Sequence, residues 1–210
     1  MEKTKTHMKK LLFAVIILVG IGFAQQSVAQ VQFALGIKGG PNFANLDVNS
    51  SASTNYKNRT GFHGGAFALF KFTKIGIQPE LIFSRQGSNL QFNSGDGEAN
   101  FDYINVPIIL KLYTVAGINL QAGPQFGFLS GGELKQTVQG LTTTQKAKDY
   151  YKGSDFGLAL GVGWDLPFGL TLDARYNLGL SKINDGTNAP ESKNQVFQIS
   201  AGFKIIKLGK

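Results

Sequence analysis

Five charged residues recur in comparable settings. Lys38, Glu80, Asp173, Arg175 and Lys204 each lie on the polar side of an alternating apolar/polar stretch, roughly four to six residues from a tight turn. Their matched spacing predicts that they face one interior at similar depth. Buried charges must be paired, and an arginine can hold a carboxylate through two parallel bonds. The expectation is an internal network in which Glu80 and Asp173 bridge Arg175, Lys38 and Lys204. Ordinary solvated interior charges and a proton or ion pathway are the competing readings. His63 is the only histidine after His7. Asp47, Ser50, Ser51 and Asp102 could lie near it, but no spacing supports a catalytic triad, so His63 reads as a hydrogen-bonding residue. One such histidine and no cysteine give no metal site. Ser94-Gly95-Asp96-Gly97 and Gly153-Ser154-Asp155 read as turn chemistry, ahead of a weak calcium loop at Asp96-Gly97-Glu98. No cofactor is expected.

The elements that must position these residues are seen best in Asp155–Ser181. Two runs flank a turn at Pro167-Phe168-Gly169. Phe156, Leu158, Leu160, Val162, Trp164 and Leu166 alternate with Asp155, Gly157, Ala159, Gly161, Gly163 and Asp165. Leu170, Leu172, Ala174, Tyr176, Leu178 and Leu180 alternate with Thr171, Asp173, Arg175, Asn177, Gly179 and Ser181. This is strand periodicity. Each run is about 11 residues, enough for a tilted strand to cross a bilayer.

The same pattern recurs from strand one (VQFALGIKGGPNFA, from Val31) to strand eight (NQVFQISAGFKII, from Asn194). In the least clear strand, GFHGGAFALFKF, Phe62, Phe70 and Phe72 are placed outward, with His63, Phe67, Leu69 and Lys71 inward. Pro79 should interrupt one ladder of the third strand. Eight strands alternate long and short connections. Polar loops are expected at 46–59, 88–100, 130–154 and 182–193, with tight turns opposite. The fold class is therefore all-β, an eight-stranded antiparallel up-and-down transmembrane β-barrel with long loops outside.

A secreted lipocalin-like carrier, apolar inside, is the soluble alternative. It would present Gly157-x-Ala159-x-Gly161-x-Gly163 to water. That string covers nothing outside, yet it suits a narrow interior. Aromatics near strand ends suggest interfacial girdles: Phe33, Phe72, Tyr113, Trp164 and Phe168 at the turn side, and Phe43, Phe62, Phe83, Phe128 and Phe156 at the loop side.

Lys9-Lys10 precede an apolar run from Leu11 to Phe23, and Ser27-Val28-Ala29 offers small residues for cleavage. Residues 1–29 read as a signal peptide and 30–210 as the barrel; Met8 is an alternative start. Setting the leader aside lowers the formal charge from +8 to +5. The remaining excess is scattered and forms no stripe for nucleic acid.

The stretches GFHGGAF (61–67), IQPELIFSRQG (77–87), YINVPIILK (103–111), QAGPQFGFL (121–129), DFGLALGVGWDL (155–166) and DARYNLGLSKI (173–183) carry a resemblance. In order, they make the chain resemble the PorT-like family of small outer-membrane β-barrels, relatives in architecture of OmpA-type and OmpX-type barrels. The resemblance implies residence in the outer membrane of a Gram-negative cell, contact with its lipid and passage through the barrel-insertion machinery. That machinery often reads a terminal aromatic; here Phe203 is near the end but not at it. Some relatives serve secretion. A structural, binding or secretion/assembly role through the external loops, with an envelope partner, is thus the leading expectation. A small pore and a lipid-modifying enzyme are alternatives, and enzymatic activity is not expected.

Overall fold

A computed structural model describes residues 31–48, 55–92, 95–138, 141–146, 153–181 and 192–209. The expected leader, Ser50 and Ser51 lie outside them. The strands are β1 (Val31–Val48), β2 (Asn55–Phe72), β3 (Ile75–Phe92), β4 (Gly95–Tyr113), β5 (Ile118–Val138), β6 (Leu141–Lys146), β7 (Ser154–Asp165), β8 (Leu170–Gly179) and β9 (Ser192–Leu208). All pairings are antiparallel, in the order β4-β3-β2-β1-β9-β8-β7-β5, and β4 also pairs with β5. Eight strands therefore close into a barrel. β6 stands outside that ring and, among the described residues, pairs only with the far end of β5.

The pleat sends alternate residues to opposite surroundings. Ile77, Leu81, Ile108, Leu110, Leu120, Leu160 and Ile199 form an exposed apolar band, while Gln78, Glu80, Lys111, Asn119, Gln121 and Ser200 are buried inside. A polar interior beneath an apolar coat suits a protein whose solvent is lipid. In β2, Phe62, Phe70 and Phe72 are exposed and His63, Phe67 and Leu69 buried. The coat carries cross-strand ring pairs: Phe33–Phe70 at 5.0 Å and Phe126–Phe156 at 5.2 Å between centroids.

The expected loops need correction. β1 and β2 remain extended to Val48 and from Asn55, β3 and β4 pair from Ile75↔Leu112 to Phe92↔Gly95, and β5 pairs with β6 up to Val138↔Leu141. Much of 46–59, 88–100 and 130–154 is thus paired ribbon. Backbone hydrogen bonding needs no apolar face, so polarity alone did not mark these segments as irregular. Only part of the fourth segment, 182–193, is described.

Register shifts at Leu35/Gly36, Asn58/His63 and Asp102/Tyr103 and a gap at Pro79 interrupt the ladders. The β2–β3 ladder is interrupted between Phe67↔Glu80 and Phe70↔Ile77 with its register unchanged, and Pro79, which has no amide to donate, lies in the gap as expected. In β9, Leu35↔Ile206 is followed by Gly36↔Lys204, so Ile205 is an extra residue, a β-bulge.

Candidate functional site

The narrow interior is built from residues that strand alternation turns inward and that small neighbours leave room for. A Cβ on Gly163 would stand 2.2 Å from Gln121 Nε2 and 2.6 Å from Asp173 Oδ1. Any side chain there would displace the polar groups that cross the axis. At Gly157 and Gly161 a Cβ would instead meet the β8 backbone, at the Leu178 and Ala174 carbonyl oxygens, 2.5 Å away in each case.

At mid-height the charges are interlocked. Arg175 Nη1 donates to Glu80 Oε2 at 2.9 Å and Arg175 Nη2 to Glu80 Oε1 at 3.0 Å. Arg175 Nη2 also donates to Gln121 Oε1 at 2.9 Å. Lys38 Nζ donates to Asp173 Oδ2 at 2.8 Å and lies 3.6 Å from Glu80 Oε1. Gln78 and Gln121 donate to Glu80 and Asp173 at 2.7 and 2.6 Å. Each carboxylate thus has both charged and neutral donors, the condition for holding ions out of water.

Lys204 is the exception to the sequence expectation. Its Nζ donates to Asp165 Oδ2 at 2.8 Å rather than bridging Glu80 or Asp173. Strand tilt explains the shift: equal counts from different turns do not give equal heights in a barrel. A second layer near the turns is organised around Asp165. Lys111 Nζ donates to Oδ1 at 3.1 Å, and the Tyr113 hydroxyl to Oδ2 at 2.8 Å. The sequence reading missed Lys111 and Asp165 as network members, although alternation put both on polar faces.

Tyr113 also needs correction. It is not in the lipid-facing girdle; it is buried and points inward, as the neighbouring outward Leu110 and half-buried Leu112 require. Of the other turn-side aromatics, Phe72, Trp164 and Phe168 are exposed and Phe33 is half-buried. The Trp164 indole donates to the Ala116 carbonyl at 3.0 Å. At the loop side Phe43, Phe62, Phe83, Phe128 and Phe156 all face outward.

His63 sits inside the barrel, between Asn42 and Ser200. Its Nδ1 is 2.7 Å from Asn42 Oδ1 and its Nε2 2.7 Å from Ser200 Oγ. Asn42 Nδ2 donates to the Phe62 carbonyl, Ser84 Oγ and the Arg85 carbonyl, so Oδ1 is its free acceptor. Nδ1 therefore carries the proton, and Nε2 accepts from Ser200. Asp102, by contrast, pairs with Arg85 at 2.7 Å on the outer face. Asp47 belongs to β1 and pairs along the backbone with Lys193.

Towards the loop side the interior turns partly apolar. Phe101, Tyr103 and Leu129 are buried there, and the rings of Phe101 and Tyr103 lie 6.4 Å apart. Among the described residues no group of three or more His, Cys, Asp or Glu side chains could hold a metal ion.

A closed barrel with an apolar coat and an ion-paired lumen defines an integral outer-membrane class of protein. The family model described as outer membrane protein beta-barrel domain matches residues 23–185, well over half of the chain. The chain belongs to that family and is an outer-membrane β-barrel protein. Its fold is similar to that of Ail, the attachment invasion locus protein of Yersinia pestis, at 16% identity and a TM-score of 0.53, over 85% of this chain and 99% of that one. It is also similar to Neisserial surface protein A (NspA), at 12% identity and a TM-score of 0.50, over 81% of this chain and 97% of that one. No curated protein matches the chain.

Proposed function

We propose that this protein is a non-conducting outer-membrane scaffold that presents its loop-side ribbons to another envelope or secretion protein. One observation carries the reading: the strands are built for projection while the lumen is built for closure. β1 to β4 are 18 or 19 residues long and β5 is 21, against about 9–11 needed to cross a bilayer. The excess lies at the long-loop side, which faces outward in barrels of this kind. Rigid paired backbone positions binding residues with less ordering cost than a free loop. The resemblance to PorT-like barrels supports an assembly role in particular.

Two measurements test this. Purified barrel in planar bilayers is expected to show no stable open level, and a large steady conductance would overturn the closed scaffold. In cells, replacing 46–57 by Asn-Gly is expected to abolish site-specific cross-links to an envelope partner while leaving heat-modifiable gel mobility intact. Unchanged cross-linking would refute the ribbon as the contact.

A second reading has one observation in its favour. Ser200, His63 and Asn42 form a nucleophile–base–orienter relay with the tautomer that acyl transfer needs. Against it, Ser200 and His63 are buried inside the barrel, away from bulk solvent. The relay fits better as bracing between β1, β2 and β9. Labelling of Ser200 by a small fluorophosphonate probe would favour the enzyme.

A further inference from the structure

The two charged layers of the lumen differ in balance. At mid-height, Lys38 and Arg175 face Glu80 and Asp173, and the charges cancel. Near the turns, Lys71, Lys111 and Lys204 gather about Asp165 alone. Lys111 also approaches Asp173 at 3.8 Å, but Asp173 is already matched by Lys38 at 2.8 Å. Asp165 is saturated by two ammonium groups and the Tyr113 hydroxyl. Lys71 Nζ lies 4.2 Å from the centroid of the Tyr113 ring, above its face. No carboxylate lies within ion-pair distance of it among the described residues.

Gly76 makes this convergence possible. It pairs with Lys71 on one side and Lys111 on the other. A Cβ there would lie 3.0 Å from Leu69 and 3.1 Å from the Tyr113 ring. The turns at 114–117 and 166–169 contain no carboxylate. Lys207 also lies at this end, donating to the Pro167 carbonyl at 2.9 Å.

We propose that the turn-side mouth of the barrel is an anion site for a phosphate monoester group, held by Lys71 and Lys204 with Lys111 behind them. Two uncompensated positive charges match the roughly −1.5 to −2 of a phosphate monoester better than the single charge of a phosphodiester. Lysines act here as point charges around a compact oxyanion. The cluster lies towards the side where turns are short, which in barrels of this kind is the periplasm. A soluble phosphate compound and the headgroup of a monoester lipid offer the same chemistry.

The test is equilibrium dialysis of radiolabelled inorganic phosphate against barrel folded in phosphatidylcholine nanodiscs at low salt. One saturable site per barrel is expected, weakened about tenfold or more by Lys71→Gln, preserved in Lys71→Arg and unaffected by Lys135→Gln. Heat-modifiable mobility checks that each variant is folded. Phosphatidic acid in the disc separates the sources. If it abolishes phosphate uptake, a lipid headgroup fills the site; if uptake survives, the ligand is soluble. No saturable binding by the folded wild type, or equal binding by folded Lys71→Gln, would overturn the proposal.

Discussion

Arg175→Leu tests the central layer most directly. The side chain is buried and donates two bonds to Glu80 and one to Gln121. Its loss leaves Glu80 with Gln78 at 2.7 Å and Lys38 at 3.6 Å. Lys38 is itself engaged by Asp173. A carboxylate stripped of its main partner in a dry interior costs about 3–5 kcal/mol. With a urea slope of about 2 kcal/mol/M, the unfolding midpoint should fall by roughly 1.5–2.5 M. The assay is reversible urea unfolding in lipid vesicles, followed by Trp164 fluorescence, since the indole lies in the lipid-facing coat. The partner substitution separates charge from packing. Glu80→Leu alone should cost a similar amount, because it orphans the guanidinium. The double variant Glu80→Leu/Arg175→Leu should recover most of the loss, since two apolar groups leave no unpaired ion. A midpoint shift below about 0.5 M in Arg175→Leu, or a double variant no better than either single one, would refute the reasoning.

Leu160→Arg places a charge on the lipid face of β7 and should cost about 2–4 kcal/mol in the same assay; a neutral result would mean that this face is not in lipid. Phe67→Ala should cost about 3–5 kcal/mol by leaving a cavity beside Ala34 and Leu69. A stability change within about 0.5 kcal/mol of zero would show that the ring is not packed. Gly163→Val should lower the yield of heat-modifiable barrel, because the new atoms occupy the space of Gln121 Nε2 and Asp173 Oδ1. Normal yield would mean that the network can move aside.

The division between coat and lumen was legible because a period of two leaves little freedom: once Ile77 faces out, Gln78 and Glu80 face in. Arg175 and Glu80, 95 residues apart, could be named together because both lie on inward faces at similar depth. Heights were harder to read. Asp165 sits at the very end of β7 on the polar face, but its height was not counted with the other charges, and tilt brings Lys111 and Lys204 to it. Tyr113 was misplaced by residue type, when its position next to Leu112 already turned it inward. The ribbons were hidden because Gly95–Ala99 has turn-like composition, although its backbone pairs with Ser88–Phe92. The Ser200–His63–Asn42 relay joins three strands and leaves no local spacing to detect.

The extra residue at Ile205 has a further consequence. β9 is written in two frames that meet at that position. Before it, odd-numbered residues from Phe197 to Phe203 face lipid; after it, Ile206 and Leu208 align with Leu35 and Phe33 of the neighbouring strand. Deleting Ser200 would invert the sidedness of all residues on one flank. Deleting Ile205 would merely merge the two frames, leaving Phe203, Ile206 and Leu208 outside and Lys204 inside. The closing strand therefore contains one position at which its length can change by a single residue without exchanging lipid for lumen.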